Sequence, residues 1–233
     1  MYKIFYRTFK IFVMLLTNII PSSSLRIRTR KSLLTFQFRS KRYAFEKNEK
    51  FPNYLSILAV AKDEGPYLKE WIEYHKILGV EKFYAYDNDS TDNTKQVLSP
   101  YIEKGIVVYE VFHWSSETKV ISHFQRKVYT KAVRKYKNKT RWLAIIDIDE
   151  FIVPKKHDSI PEFLKDYEAY SQIFMHWKYF GNSGHKTKPE GLVFENYVYA
   201  DKEVNPSGKS IVNPRAILGQ VNVHYNNVIG NAC

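Results

Sequence analysis

Two aspartates, Asp147 and Asp149, directly follow an apolar run at residues 142–146 that has the length of a strand. In an extended chain, residues i and i+2 point to the same side, so the two carboxylates lie together and repel each other. A divalent cation relieves this repulsion, and Mg²⁺ or Mn²⁺ takes one or two carboxylates together with the phosphate oxygens of a substrate. The pattern therefore predicts a metal site for a diphosphate-bearing substrate. The alternative is a polar turn that only closes a buried strand.

Acidic residues also follow two earlier apolar stretches, at residues 55–61 and 82–86. In open α/β sheets, ligands lie outside the carboxyl ends of the strands, where such residues would meet. The three acidic clusters are therefore expected to converge on one site. The two additional clusters are Asp63 with Glu64 and Asp87 with Asp89.

The loop at residues 87–93, DNDSTDN, has two compatible roles. The hydroxyl and carboxylate side chains of residues 90–92 can cap the free N–H groups of a following helix. Asp87 or Asp89 can accept a hydrogen bond from a uracil N–H or a ribose hydroxyl. Both roles can hold at once, because the cap uses later residues than the ligand does.

Strands and helices alternate through residues 54–146, and this order must position the acidic residues. Apolar runs at residues 55–61, 82–86, 106–112 and 142–146 predict strands, and the segments between them predict helices. The second of these helices reaches about residue 104, and a break is expected at Pro100. The alternation predicts an α/β fold with a mostly parallel open sheet flanked by helices. After residue 171, short aromatic stretches between Gly, Asn and Pro predict an irregular α+β part.

The positive charge is concentrated at the N-terminus. The chain has 233 residues and a net charge of +12, and residues 1–50 hold 12 Lys/Arg against 2 Asp/Glu. Residues 51–233 are nearly neutral, whereas a nucleic-acid-binding domain carries a basic face, so nucleic acid is not an expected partner. Residues 11–20 are apolar, but as a helix they are too short to cross a membrane. Residues 1–45 are therefore expected to lie on an anionic membrane surface, with a disordered tail or a cleaved signal peptide as alternatives.

The composition excludes several classes of protein. Apolar residues make up 44% of the chain, which is enough for a folded core and excludes wholesale disorder. The single cysteine, Cys233, excludes an internal disulfide and a zinc site built on cysteine pairs. The chain is expected to consist of a membrane-association segment at residues 1–50 and one folded domain at residues 51–233.

Several stretches of the chain, taken together, resemble glycosyltransferase family 92 and its bacterial family 2-like relatives. They occur in the family's order over about residues 54–225. They read AVAKDEGPYLKEWIEYHKILGVEKFYAYDNDSTDNT, WLAIIDIDEFIVP, WKYFGNSGH, KSIVNPRAI and VHY. The resemblance implies a GT-A fold, a nucleotide-sugar donor, a divalent metal and an inverting transfer of galactose.

The resemblance also implies roles for particular residues. Asp147 and Asp149 match the D-x-D pair, and His224 matches the late histidine that completes the metal site in such enzymes. The strand ends that contact the nucleotide correspond to Ala61, Lys62, Glu64 and Asp87.

Other residues are assigned on their own chemistry. Lys209 is a candidate contact for the phosphates, although its surroundings are not a P-loop. His185, on a loop rich in Gly and Asn, is a candidate to line the acceptor or phosphate site. An inverting transfer needs a general base, and Glu195 is preferred for this role over Glu190 and Asp201.

The sequence leaves the roles of two aromatic side chains open and predicts a purely structural role for one histidine. Trp177 and Phe180 can stack on a sugar ring or pack into the core. His75 lies at helical spacing with apolar residues, so it is expected to pack within the first helix.

The sequence thus predicts a metal-dependent glycosyltransferase that moves a hexose, with galactose favoured, from a UDP-sugar to a glycan or lipid-linked acceptor. The alternative is a non-catalytic, membrane-tethered protein that binds a nucleotide or a glycan. A sugar-phosphate nucleotidyltransferase fits less well, because a Gly-rich basic loop is missing after the first strand. The expected location is the cytoplasmic face of the membrane in a bacterium, or the Golgi membrane in a eukaryote.

Overall fold

The computed structural model describes residues 50–113 and 121–233. The predicted membrane-binding residues 1–45 lie outside the described part. None of the helices described is both long enough and apolar enough to cross a membrane. In chain order the elements are β1 (Asn53–Ala61), α1 (Gly65–Ile77), β2 (Lys82–Asp87), α2 (Thr94–Glu103), β3 (Val107–Val111), α3 (Ile121–Tyr136), β4 (Thr140–Ile145), α4 (Ile160–Lys165), β5 (Tyr170–Trp177), α5 (Val193–Asn196), β6 (Asn205–Val212) and β7 (Asn231–Ala232).

The strands form one seven-stranded sheet in the order β3-β2-β1-β4-β6-β5-β7. β1 pairs in parallel with β2 and β4, β2 pairs in parallel with β3, and β7 pairs in parallel with β5. β6 runs antiparallel to both of its neighbours, β4 and β5. The predicted α/β class, with a mostly parallel open sheet and an irregular C-terminal part, is confirmed.

The core lies on both faces of the sheet. Leu55, Ile57 and Ala59 of β1 belong to a cluster with buried side chains of α1, α2 and α4. Leu58, between them, belongs to a second cluster that includes one side of α3. Because helices cover both faces, β1 is apolar at successive positions rather than at alternate ones, which is why it reads as a continuous apolar run.

The parallel pairing brings three strand ends to one edge of the sheet. Ala61 at the end of β1 is in register with Asp87 at the end of β2, and Leu58 is in register with Ile145 at the end of β4. The loops that follow these strands therefore leave the sheet side by side. They carry the three acidic clusters identified in the sequence.

Pro100 does not break α2, contrary to the expectation from the sequence. The helix runs from Thr94 to Glu103 with Pro100 inside its last turns. Leu98 and Tyr101, on either side of the proline, are buried in the core and hold the helix against the sheet. Only one helical N–H is missing so close to the end, and packing outweighs this loss.

His75 of α1 is fully buried, in agreement with its expected packing role. Its Nδ1 donates to the Trp71 carbonyl at 2.8 Å, and its Nε2 accepts from the Ile152 N–H at 3.3 Å. These two bonds require the neutral ring, which has one donor and one acceptor nitrogen. Burial lowers the pKa of His75 from 6.5 to about 4.

Acidification from pH 6.5 to about pH 4 is expected to lower the free energy of unfolding by about 3 kcal/mol through His75. The unfolded chain takes up a proton on His75 in this range, whereas the folded chain does not. Above this range the ring is neutral in both states, so His75 adds no pH dependence. His75→Gln should remove this part of the slope, as measured by urea unfolding at a series of pH values. A variant that kept the full wild-type slope would contradict the assignment.

Candidate functional site

The D-x-D segment forms a tight turn directly after β4. Ile148 is buried in the core, so Asp147 and Asp149 on either side of it are more exposed. The Glu150 side chain folds back, and its Oε2 accepts from the Asp147 N–H at 2.9 Å. The Trp71 indole N–H donates to the Glu150 carbonyl at 2.8 Å. The turn is thus fixed from both sides, by its own glutamate and by α1.

Lys209 of β6 places its side-chain amino group beside this acidic turn. Its Nζ is 2.5 Å from Asp147 Oδ2 and 3.6 Å from Glu150 Oε2. The Trp177 indole N–H donates to Glu150 Oε1 at 2.7 Å, and the Trp177 ring lies 5.9 Å from Nζ. Lys209, the predicted contact for the phosphates, therefore lies in the same site as the D-x-D turn. Asp149 is exposed and makes no hydrogen bond or ion pair within the described part of the chain.

The loops after β1 and β2 are joined by hydrogen bonds between their side chains and backbones. Asp63 accepts from the Thr91 N–H at 2.7 Å, and its own N–H donates to the Ser90 hydroxyl at 2.8 Å. Asp92 accepts from the N–H groups of both Gly65 and Thr94 at 2.9 Å. Asp92 therefore satisfies the N–H group of the first residue of α2, as the loop sequence predicts, and that of α1 as well, although Asn93 and Glu64 occupy the N-cap positions.

Gly65 lies at the contact between these two loops. A Cβ atom at this position would lie 2.0 Å from the Asn93 side chain and 2.9 Å from the Asp92 carboxylate. A larger residue here would have to displace these two side chains, and Asp92 would then lose its hydrogen bonds to Gly65 and Thr94.

Asp87 and Asp89, the candidate nucleoside contacts, have different environments. Asp87 is buried, and its carboxylate accepts from the Ser90 N–H at 2.9 Å and from the Tyr109 hydroxyl. Asp89 Oδ1 lies 2.7 Å from Nδ1 of His113 in an exposed pair. Asp87 thus shapes the loop, and its contact with a nucleotide stays a prediction.

The remaining candidates for nucleotide binding lie at the same strand ends. The Ala61 carbonyl accepts from the Asn88 N–H at 2.9 Å, and the exposed Lys62 reaches the Asn88 carbonyl with its Nζ at 3.4 Å. The Asn88 Oδ1 atom is buried without a hydrogen-bond partner among the described residues. Sequence reasoning missed Asn88, although it lies between Asp87 and Asp89.

Glu64 interacts with acidic residues of the loops after β1, β2 and β4, and the residue named from the second loop is Asp92. Burial raises the pKa of Glu64, and the carboxylates of Asp149, Asp92, Asp147 and Asp63 raise it further. Acidic groups from all three loops therefore act on one another at this edge of the sheet. Their mutual repulsion favours binding of a cation at this edge.

These donors fit a hard divalent cation. The carboxylate oxygens of Asp147 and Asp149 are the ligands that Mg²⁺ and Mn²⁺ prefer. Within residues 50–113 and 121–233, no group of three His, Cys, Asp or Glu side chains is close enough to hold a metal ion by itself.

His224 is linked to the turn through Trp177, whose indole N–H donates to Glu150. Its Nδ1 donates to the Gly208 carbonyl at 2.9 Å, and its ring packs edge-on against Trp177 with centroids 5.4 Å apart. Donation from Nδ1 leaves Nε2 with a lone pair, as in many metal-binding histidines. The structure does not place His224 in a ligand group with the two aspartates, so its role as a ligand stays a prediction.

His185 and Glu195 lie on a separate segment that packs against α1. Glu70 of α1 accepts from the N–H groups of Val193 and Phe194 at 2.8 and 3.1 Å. His185 Nε2 donates to the Asn196 carbonyl at 3.2 Å, and Glu195 is exposed. No hydrogen bond or ion pair joins either side chain to the D-x-D turn in the described structure, so their catalytic roles stay predictions.

Comparison with known proteins identifies relatives that are glycosyltransferases. The model of glycosyltransferase family 92 matches residues 58–231. A glycosyltransferase family 92 protein of Ricinus communis is 26% identical over 171 residues, covering 71% of this chain and 30% of that protein. Galactan beta-1,4-galactosyltransferase GALS2 of Arabidopsis thaliana is 29% identical over 109 residues, covering 46% of this chain and 21% of that protein. The chain thus spans less than a third of the length of either relative.

Solved structures show a more distant likeness. TarS of S. aureus in complex with UDP is 13% identical, with a TM-score of 0.40. The match covers 59% of this chain and 38% of that chain.

Proposed function

The chain belongs to glycosyltransferase family 92, and on this premise we propose that it transfers a hexose from a UDP-sugar to a hydroxyl of a glycan or lipid-linked acceptor. The observation that carries the proposal is that the loops after β1, β2 and β4 leave the sheet at one edge, with the exposed Asp149 among their acidic residues. Galactose is the favoured sugar, supported by the similarity to a protein named as a galactan galactosyltransferase.

Asp147 and Asp149 would hold Mn²⁺ or Mg²⁺ together with the diphosphate of the donor. When bound, the cation supplies Lewis-acid stabilisation of the charge that develops on the departing UDP. Glu150 and Trp71 keep the turn that carries the aspartates in place. Lys62 and Asp89, both on the loops after β1 and β2, are available to contact the nucleotide.

An inverting transfer requires the acceptor hydroxyl to attack from the face opposite the departing UDP and to lose its proton to a base. Glu195 is proposed as this base, with His185 lining the acceptor side. Both lie on the segment that packs against α1, whose first turn lies at the same edge as the aspartates. This placement supports an acceptor site between the segment and the D-x-D turn.

Slow release of UDP from UDP-galactose is expected when the purified chain is incubated with Mn²⁺ and no acceptor, because water then takes the place of the acceptor hydroxyl. The release should stop on addition of EDTA and should be slower with UDP-glucose. A coupled assay for UDP measures both. Binding of UDP-galactose without any release of UDP would favour the alternative, a non-catalytic nucleotide- or glycan-binding protein.

We also propose that residues 1–45 attach the protein to an anionic membrane surface, at the cytoplasmic face in a bacterium or at the Golgi membrane in a eukaryote. The excess of Lys and Arg over residues 1–50 supports this attachment. Co-sedimentation with anionic but not with neutral vesicles is the expected result, and equal binding to both would contradict it.

A further inference from the structure

We propose that Lys209 is an internal counter-ion that pairs with Asp147 in the absence of metal and turns to the donor diphosphate when a cation occupies Asp147. The inference rests on the proposed function, because it concerns the same metal and donor site. It goes further by giving one residue two opposite effects. Lys209 would weaken binding of the metal alone and strengthen binding of the metal together with the nucleotide.

The burial of Lys209 provides the first argument. Its side chain is 5% exposed, whereas that of its partner Asp147 is 41% exposed. A buried ammonium group must stay paired, because an unpaired charge in the interior is strongly destabilising. Asp147 meets this need from the rim of the site, where solvent and ligands also reach it.

The position of Lys209 provides the second argument. Its Nζ is 2.5 Å from Asp147 Oδ2, so a cation that binds this carboxylate comes close to a positive charge. Two positive charges this close together repel each other strongly at the rim of a protein. Lys209 therefore competes with the metal for Asp147 as long as no diphosphate is present.

Glu150 allows Lys209 to leave Asp147 without losing all of its partners. Glu150 Oε2 lies 3.6 Å from Nζ, and the Glu150 side chain is held by the Asp147 N–H and the Trp177 indole N–H. The ring of Trp177 lies 5.9 Å from Nζ and adds a cation–π contact. An ammonium group has three donors, so Lys209 can keep Glu150 and still donate to a phosphate oxygen.

The test measures two affinities of the full chain by calorimetry: Mn²⁺ without nucleotide, and UDP at saturating Mn²⁺. In Lys209→Gln, Mn²⁺ alone should bind about tenfold more tightly, because the competing charge is gone. UDP at saturating Mn²⁺ should bind about tenfold more weakly, because a charged donor to the phosphates is lost. Lys135→Gln, which removes a lysine paired with Glu110 away from the D-x-D turn, should change neither affinity.

Opposite changes in the two affinities support the proposal, whereas a purely structural role of Lys209 would weaken both. If the wild-type chain shows no Mn²⁺-dependent binding of UDP, the proposed function fails and the inference fails with it. If the wild type binds both and Lys209→Gln binds Mn²⁺ no more tightly, only the inference is overturned.

Lys209→Arg keeps the test decisive if Lys209→Gln does not fold. The planar guanidinium group pairs with carboxylates through two hydrogen bonds, so it should hold Asp147 more firmly than lysine does. Mn²⁺ alone should then bind several-fold more weakly than to the wild type. An unchanged affinity for Mn²⁺ in this variant would overturn the proposal.

Discussion

Asp149→Ala is expected to abolish the Mn²⁺-dependent part of UDP binding and to lower the rate of sugar transfer at least about a hundredfold. The reason is that Asp149 is exposed at the meeting point of the acidic clusters and has no protein partner in the described structure that would compete for its oxygens. Stability should change little, because the side chain is not part of the core. Calorimetric titration with UDP, with and without Mn²⁺, measures the binding effect directly.

Asp158→Ala is the matched control, since Asp158 is also an exposed aspartate but lies in the turn before α4. It should bind UDP as the wild type does, with the same gain from Mn²⁺. If Asp149→Ala kept the full gain from Mn²⁺, the assignment of Asp149 as a metal ligand would be wrong.

Gly208→Ala is expected to destabilise the protein by about 3 kcal/mol or more and to impair the site at the same time. A Cβ atom at Gly208 would lie 1.8 Å from the Met175 carbonyl oxygen in the neighbouring strand β5, so the two strands would have to separate. Gly208 also precedes Lys209 and accepts the hydrogen bond from His224. Urea unfolding gives the loss of stability, and UDP binding with Mn²⁺ gives the effect on the site.

Gly181→Ala provides the control for Gly208→Ala. A Cβ atom at Gly181 would meet only the Tyr199 carbonyl oxygen at 3.8 Å, which is ordinary contact, and the residue is exposed. This variant should stay within about 0.5 kcal/mol of the wild type. If Gly208→Ala were equally harmless, the close approach of β5 and β6 would not hold in solution.

The parallel half of the sheet could be predicted from the sequence because local signals specify it. β1 lies between β2 and β4 and is covered by helices on both faces, so its residues 57–61 are apolar at successive positions. The acidic residues follow such strands directly, and parallel pairing then places them at one edge. The exit of these three loops at one edge therefore follows from strand order and chain direction.

The partners of the acidic residues could not be predicted, because they lie far away along the chain. Lys209 is 62 residues from Asp147, and the contact arises only because β6 inserts beside β4 in the antiparallel direction. The Tyr109 hydroxyl bonded to Asp87 comes from the neighbouring strand β3. No local periodicity encodes such pairings, although the sequence did mark Lys209 as a candidate for the site.

The acceptor side was the hardest part to predict. Glu70 holds the N–H groups of Val193 and Phe194 from 123 and 124 residues away, and α5 has only four residues. A helix this short has no amphipathic pattern of its own, and its position depends on packing against α1. Phe194 packs on Tyr74 with ring centroids 4.7 Å apart, a contact that sequence spacing does not reveal.

A crystal of the chain grown with Mn²⁺ and UDP tests the central claim most directly, because manganese can be located by its anomalous scattering. We expect one strong anomalous peak between the diphosphate and the carboxylates of Asp147 and Asp149, with the Lys209 ammonium group turned to a phosphate oxygen. A diphosphate bound at this edge of the sheet with no manganese peak beside either aspartate would contradict the account.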